Sequence, residues 1–491
     1  MFGFLEPLKI KLEKLIRQDS DKKLGDKSFV AREILEFVRS MKRIQMIDGE
    51  RYYNGNHDIL CRQRTVIGAN GKLETVDNLP NNRIVDNQYR KIVTQKANYL
   101  LGKPLTVRST NEEHQKELSS IFSRKLLRTL KGVACDSLNC GIGWLYVHYD
   151  DEGELAFTRF RPWEIIPYWK DQEHTVLECA IRIYEIVGYY AIGNAKKIKR
   201  KVEVYSKDGI SYYVLTDGGT LLPDGDSNEQ VPYFRIGDTG YNWSKIPLIP
   251  FKYNADEIPL IRMVKSLQDG LNLIESNFQN QMEEDTRNTI MVLVNYDGEN
   301  LGEFRRNLST YGAVKVRTVD GAGGDVRTLQ VEVNSENYKT IIELFKNAII
   351  ENAMGYDAKD ERMSGAPNQM NIQSMYNDID LDANGMEGEY QASLEELLWY
   401  INCHLDNTGK GDFEREKVEF IFNRDMMMNE GDIIDNITKS VGLLSDETLV
   451  AQHPWVSDIG EELERIKKQK QASIDDYSLA FSEATSEAGD G

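Results

Sequence analysis

Between Met354 and Pro367 the chain crowds the acids Asp357, Asp360 and Glu361 and the bases Lys359 and Arg362 into one short segment, closed by Gly365-Ala366-Pro367. Charges of both signs followed by Gly and Pro cannot continue an amphipathic helix, so this is a loop that offers ionic contacts to a partner. Groupings that make or break covalent bonds are missing. Gly68, Gly71 and Lys72 invite a phosphate-loop reading, but that motif needs four residues between its glycines and Ser or Thr after the Lys. Here two residues separate the glycines and Leu73 follows the Lys. The six histidines and five cysteines are scattered, without HExxH or CxxC spacing, so neither a metal site, a cofactor nor a disulfide framework is expected. No nucleophile–His pair and no catalytic carboxylate cluster stands out, and an enzyme is not expected.

The elements around the loop give it a setting. Tyr338, Ile341, Ile342, Phe345, Ala348, Ile349 and Ala353 recur in steps of three and four, which predicts a helix stopping at Met354-Gly355. After the loop a second stripe runs through Ile372, Met375, Tyr376, Ile379, Ala383, Met386, Tyr390, Leu394, Leu397, Leu398, Ile401 and Leu405. At ~1.5 Å per residue this helix is roughly 50 Å long. Gly385 and Gly388 near its middle weaken it and invite a bend. A charged loop between two helices, one very long, describes a spine that presents a loop.

With 491 residues the chain should hold about three domains. Its longest apolar run, Ile290 to Val294, is far below the ~20 residues of a membrane span. The opening Met1-Phe2-Gly3-Phe4-Leu5-Glu6 lacks the basic and apolar regions of a secretory signal. A net charge of −19 argues against a protein that grips nucleic acid by neutralising phosphates, though not against one that lets it slide past.

Along the chain, residues 1–50 read as helical, with stripes at Leu8, Leu12, Leu15, Ile16 and at Ile34, Leu35, Phe37, Val38, Met41. Another helix runs from Tyr89 through Ile92, Val93, Lys96 and Tyr99-Leu100-Leu101 to a stop at Gly102-Lys103-Pro104. Trp144 to Tyr253 has β texture, with short strands and Gly/Asp turns. Its basic run, Lys196 to Lys201, reads as a solvated hairpin edge, with a nucleic-acid patch as the weaker alternative. Helix resumes near Pro259 with a stripe at Leu260, Met263, Val264, Leu267, Leu271, Ile274, Phe278 and Met282, ending at the acids Glu283, Glu284 and Asp285. A β-rich insert follows (Thr289 to Asn295, Leu301 to Leu308, Tyr311 to Val316, Thr328 to Val333), and the chain then enters the helix before the loop. Lys417 to Phe422 reads as a strand, and Asn429–Lys439, Ser445–Gln452 and Ser457–Lys470 as short helices. Ala472 to Gly491 reads as a flexible acidic tail.

Four stretches resemble the portal proteins of tailed bacteriophages, in particular the SPP1-like portal family. They are Tyr52 to Ile59; Asn81-Asn82-Arg83-Ile84 on to Pro104; Ile246-Pro247 ahead of the Pro259 helix; and Met354 to Leu405 with Ser364-Gly365 at the junction. Ser445 to Leu449 and Glu461 to Lys470 add to the likeness, which covers nearly the whole chain in order.

The resemblance implies an α+β, multi-domain portal fold assembled as a ring of about twelve copies around a channel. In those terms residues 1–255 form the wing, 256–286 a stem helix, 287–334 the clip and 335–353 the second stem helix. Residues 354–370 form the tunnel loop, 371–429 the wing's spine helix and strand, 430–475 the crown and 476–491 the tail. It further implies a non-enzymatic, membrane-free component of the virion, assembled in the bacterial host cytoplasm and set at one capsid vertex. Double-stranded DNA passes through its channel. Its implied partners are terminase, scaffolding and major capsid proteins, and a head-completion adaptor.

On this basis Lys359 and Arg362 are expected to touch the DNA backbone transiently, with Asp357, Asp360 and Glu361 limiting the stay. Pairing among these charges between neighbouring loops remains the alternative. Gly355, Gly365 and Pro367 would be hinges, and Glu275, Glu283, Glu284 and Asp285 channel-lining acids that keep phosphate from sticking. Arg305, Arg306, Tyr311 and Lys315 would dock partners at the clip, or contact a neighbouring subunit. Competing readings are another ring-forming head–tail connector and, further off, a nucleic-acid-processing enzyme.

Overall fold

The computed structural model describes residues 26–67, 71–77, 79–189, 196–224, 230–285, 290–294, 300, 302, 306, 325–329, 335–357, 369–424, 430–456 and 462–469. Helices among them are α1 (Lys27–Val38), α2 (Met41–Tyr53), α3 (Gln88–Leu101), α4 (Glu112–Ile121), α5 (Arg124–Cys140), α6 (Ile261–Asp285), α7 (Ser335–Asn352), α8 (Gln369–Asn407), α9 (Glu430–Ser440) and α10 (Asp446–Ala451). With the strands below, the fold is α+β. The chain divides into two compact units, Met1–Gly355 with Asp382–Arg424, and Tyr356–Leu381 with Asp425–Gly491.

In the first unit a five-stranded antiparallel sheet has the order 221–223, 209–215, 196–206, 177–189, 165–169. α1 packs on it through Val30, Ala31 and Ile34, against Ile181, Val202 and Val204. Of the expected stripe Ile34, Leu35, Phe37, Val38 and Met41, Ile34 is buried and Phe37 packs against the same core, while Leu35, Val38 and Met41 are exposed because the face that meets the sheet begins a turn earlier at Val30 and Ala31. The basic run was expected on an edge. Strand Lys196–Ser206 pairs with 177–189 throughout, and from Arg200 onward with 209–215 as well, so only its first four residues form an edge.

A three-stranded sheet, Leu248–Lys252 beside Ile142–Tyr149 beside Leu155–Phe160, lies at the centre of this unit. Its middle strand places Leu145 and Val147 in the main core and Trp144 in a second core that stacks on Trp169. The main core also takes the α3 and α5 stripes and Met386, Tyr390, Leu394, Leu397, Tyr400, Ile401 and Leu405 of α8. The strand Val418–Ile421 pairs with Thr106–Ser109, joining segments more than 300 residues apart. α8 is continuous over 39 residues, through both of its central glycines. A Cβ added at Gly385 or Gly388 would meet no atom within 4 Å.

α6 and α7 form a helical hairpin. Gly270 lets them close, since a Cβ there would sit 2.6 Å from the Phe345 ring. Beyond the hairpin, Ile290–Val294 pairs antiparallel with Asp325–Leu329. Within Leu301–Leu308, expected as strand, Gly302 and Arg306 are helical, in keeping with the three- and four-residue steps between Leu301, Phe304 and Leu308. The second unit contains the 369–381 part of α8, where Ile372, Met375, Tyr376 and Ile379 are buried, together with α9, α10 and a helical stretch at 462–469. Ser445 caps α10 by accepting from the Thr448 N–H. The expected helix at Leu8–Ile16, the N-cap Ser457 and the acidic tail lie outside the described residues.

The face of α6 departs most from expectation. Leu260, Ile261, Val264 and Leu271 are buried, but Met263 and Met282 are exposed, and a polar file, Gln268, Asn272, Ser276 and Asn280, is fully buried instead. These four residues, each one turn from the next, accept the N–H groups of Tyr89, Asp86, Ile84 and Asn82 at 3.0, 3.1, 2.9 and 2.7 Å. Gln268 also donates to the Asp86 carbonyl, and Asn272 Nδ2 lies 2.7 Å from His57 Nδ1. Asn272→Ala should leave the Asp86 N–H and the His57 Nδ1 without partners and cost about 1–3 kcal/mol in chemical denaturation. Gln279→Ala, on the exposed side of the same helix, should change stability by less than about 0.5 kcal/mol. Equal effects from the two would show that the buried file carries no special weight.

Candidate functional site

The loop of mixed charge starts where the α6–α7 hairpin ends, so its geometry depends on how that hairpin is mounted. The hairpin joins the rest of the first unit through two non-glycine residues in the left-handed backbone region, Glu257 (φ 54°) before α6 and Met354 (φ 49°) after α7. Such residues cost on the order of 1–3 kcal/mol and persist only where their surroundings fix them.

At the first joint the Glu257 carboxylate is buried and accepts from Lys42 Nζ and, at 2.6 Å, from His174 Nδ1. Burial pushes this carboxyl up, but the bonds from His174 and Lys42 outweigh it and hold it at about 2. His174 is itself left-handed (φ 57°) and stacks on Trp169. Gly141, in the left-handed turn that ends α5, admits the Glu257 carbonyl; a Cβ there would lie 2.0 Å from that oxygen. Leu260 N–H then donates to the Leu138 carbonyl, seating the start of α6 on the end of α5.

One turn further, Tyr52 donates to Asp269. Lys265 Nζ reaches Tyr52 Oη (2.9 Å), Asp269 (2.9 Å) and Asp58 (2.5 Å), while Arg51 bridges Asp48 and Asp58. In mid-hairpin, Lys346 of α7 lies 2.7 Å from Asp86 and 3.7 Å from Glu275 of α6. Burial and the adjacent Asp86 push the Glu275 carboxyl up to about 6. Asp86 moves the other way, since the bonds from Lys346 and Gln88 outweigh its burial.

At the second joint the Met354 carbonyl accepts from Lys96 Nζ at 3.2 Å. Lys96, on α3, is 3% exposed and lies 2.6 Å from Asp382 of α8, whose other oxygen accepts from Tyr253 Oη at 2.7 Å. Burial lowers the Lys96 pKa, opposed by Asp382.

Among the residues singled out from sequence, Gly355 is buried and is not left-handed; the strained residue of this joint is Met354. Asp357 is partly exposed, beside Tyr356, whose ring meets that of Tyr376 at 4.7 Å. Glu275 is half-buried and paired rather than presented to solvent. Glu283 is exposed and accepts from Asn82 Nδ2 at 3.0 Å, and Glu284 and Asp285 occupy the last turn of α6. Arg306 is exposed. Lys359, Asp360, Glu361, Arg362, Gly365, Pro367, Arg305, Tyr311 and Lys315 lie outside the described residues. Sequence reasoning missed Glu257, Lys42, His174 and the Lys96–Asp382–Tyr253 group. Its one available signal was Lys96, a cation standing in the apolar stripe of α3.

Comparison with known proteins places this arrangement. The chain matches the family model described as "Phage portal protein, SPP1 Gp6-like" over residues 36–476. It is 31% identical over 433 residues to the portal protein of Bacillus phage SPP1, covering 86% of this chain and 83% of that one. It is 25% identical over 453 residues to the portal protein of Clostridium phage phiCD119, covering 89% of this chain and 96% of that one. Among the described residues no helix is long and apolar enough to cross a membrane.

The clamp between α6 and α7 has a pH dependence of defined sign. Glu275 titrates at about 6 in the folded chain against an ordinary 4.5. Between these values the folded state holds a proton that the unfolded state releases, so stability falls as pH rises through the window. Glu275→Gln should flatten the stability–pH curve between pH 4.5 and 6, as read by denaturation at a series of pH values. The same slope in the variant would mean that Glu275 is not the titrating group.

Proposed function

The chain belongs to the SPP1 Gp6-like phage portal proteins, and from that premise we propose that it assembles into a closed ring of about twelve copies at one vertex of the capsid. The ring surrounds a channel through which double-stranded DNA is packaged, retained and later ejected. In this reading the first 255 residues and the segment 371–429 form the wing, α6 and α7 the stem, 287–334 the clip, 354–370 the loop that narrows the channel, and 430–475 the crown. The clip, with Arg305, Arg306, Tyr311 and Lys315, docks terminase during packaging and a head-completion adaptor afterwards. Scaffolding and major capsid proteins surround the ring. The role is structural, with no catalytic step assigned to any residue, and assembly takes place in the bacterial cytoplasm.

The observation that carries this reading is the state of the α6–α7 hairpin in a single chain. Met263, Leu273 and Met282 on α6 and Ile341 and Leu344 on α7 are exposed, Leu344 by 62%. Exposed apolar side chains on both helices of the hairpin call for cover, and a neighbouring copy in a ring supplies it through a heterologous interface. The charge balance supports the same reading: with a net charge of −19, a ring does not hold phosphate by counterion release, so DNA can slide. Lys359 and Arg362 would then make short-lived phosphate contacts, which are independent of sequence. Asp357, Asp360 and Glu361 would limit them, as would Glu283, Glu284 and Asp285 near the end of the stem. Glu275 would act inside the stem, paired to Lys346.

Electron microscopy of the purified protein should show rings with a central hole. Leu344→Asp, which disturbs no buried contact in the single chain, should shift the population to smaller species. A wild-type chain that stays monomeric at all concentrations would overturn the ring reading. In a packaging assay, Lys359→Ala with Arg362→Ala should alter DNA uptake or retention while rings still form. Unchanged uptake and retention would remove both residues from the mechanism.

A further inference from the structure

The chain leaves the first compact unit after Gly355 and re-enters it at Asp382. Both crossings meet at one ammonium: Lys96 Nζ donates to the carbonyl of Met354 at 3.2 Å and pairs with the Asp382 carboxylate at 2.6 Å. Tyr253 Oη binds the second carboxylate oxygen at 2.7 Å, and Lys96 and Tyr253 are both almost wholly buried. The residue before the outgoing crossing is left-handed, so its carbonyl would relax elsewhere without this donor.

We propose that Lys96 is a positioning residue: a buried latch on α3 that fixes both ends of the excursion 356–381 at one point, whatever the intervening residues do. A buried ion pair is a poor means of stabilising a core, because an apolar pair of similar volume is often as stable or more so. What an ammonium adds is direction. It addresses a carbonyl and a carboxylate from two distant segments at once, which Met or Leu at position 96 does not. Holding both ends at one point gives the excursion a constant base. The functional consequence rests on the channel-loop reading above: the constriction keeps a fixed root while its charged part contacts passing DNA.

The test uses the full-length assembled protein as wild type, Lys96→Met and the double variant Lys96→Met with Asp382→Asn, which keeps an acceptor for the Tyr253 hydroxyl. Hydrogen exchange is followed in peptides covering 350–357 and 369–385, with α5 as internal control, beside the thermal midpoint. Lys96→Met should speed exchange at both crossings by about tenfold or more relative to α5, because the local opening free energy falls there. The double variant, free of an unpaired buried charge, should recover the midpoint but keep the fast exchange, since the Met354 carbonyl still lacks its donor. Unchanged exchange at the crossings in both variants overturns the latch. So does joint recovery of midpoint and slow exchange in the double variant, which would make Lys96 a stabilising residue only. Fast exchange combined with unaltered DNA packaging and retention would leave the latch standing and overturn the channel-loop reading instead.

Discussion

A backbone N–H taken out of water needs an acceptor, and among the described residues the segment 82–87, with the first turn of α3 after it, has no strand beside it to supply one. α6 takes the strand's place. Four residues of helix advance ~6 Å and two residues of extended chain ~6.6 Å. A file of acceptors at every fourth helical position therefore keeps step with every second N–H, and Asn280, Ser276 and Asn272 meet Asn82, Ile84 and Asp86 in that order. A slip of one residue would turn the N–H groups away from the helix, so the register is all or nothing, as in a sheet. The same contact sets the rotation of α6 and, through Gln268 and the Tyr89 N–H, the start of α3. Through Asp86 and Lys346 it also sets α7. The hairpin inherits its position from this one match.

The joints make the mounting rigid. Both Glu257 and Met354 occupy backbone regions that ordinary side chains avoid; Met354 is held by the buried Lys96, and the buried Glu257 carboxylate by the exposed Lys42 and the half-buried His174. These are not sites where the chain gains much stability: desolvating Lys96 or Glu257 costs free energy that the ion pairs only offset. They are sites where the direction of the chain is fixed. On the channel reading proposed above, such mounting would pass a displacement on between clip and constriction, where a compliant joint would absorb it. The apolar core of α3, α5 and α8 supplies the stability that permits the strain.

The legible parts of the sequence were those where one period dominates. The α8 stripe from Ile372 to Leu405 is buried almost as its spacing predicts, since a long helix crossing a core has no competing demand on its inner face. α6 failed for the opposite reason. Two faces of that helix are buried, one apolar and one polar, and the rule that polar residues face water assigned the second to solvent. Uncharged Gln, Asn, Ser and Asn one turn apart, with no Lys or Glu among them, is the pattern that could have revealed it. Met263 and Met282 were drawn into the stripe by hydrophobicity although the hairpin leaves them uncovered. Lys96 stood in plain view inside an apolar stripe. Its partners, Asp382 and the Met354 carbonyl, lie more than 250 residues away in sequence, so only the fold could bring them together.

The joints also bear on what the acid excess can do. Asp58, Asp269, Glu257, Asp86 and Asp382 each face a base, Lys265 serving both of the first two, so these groups largely cancel and leave most of the net charge of −19 to acids elsewhere. Charges on the outer faces of a ring contribute little inside a channel, because salt screens them over ~8–10 Å. What DNA would experience is set by the few groups within that distance of its backbone, and for a mixed-charge loop the balance between attraction and repulsion reverses with small displacements. On the proposed reading, net charge would keep the wall from binding without regulating passage, which would fall to where the loop's own cations stand.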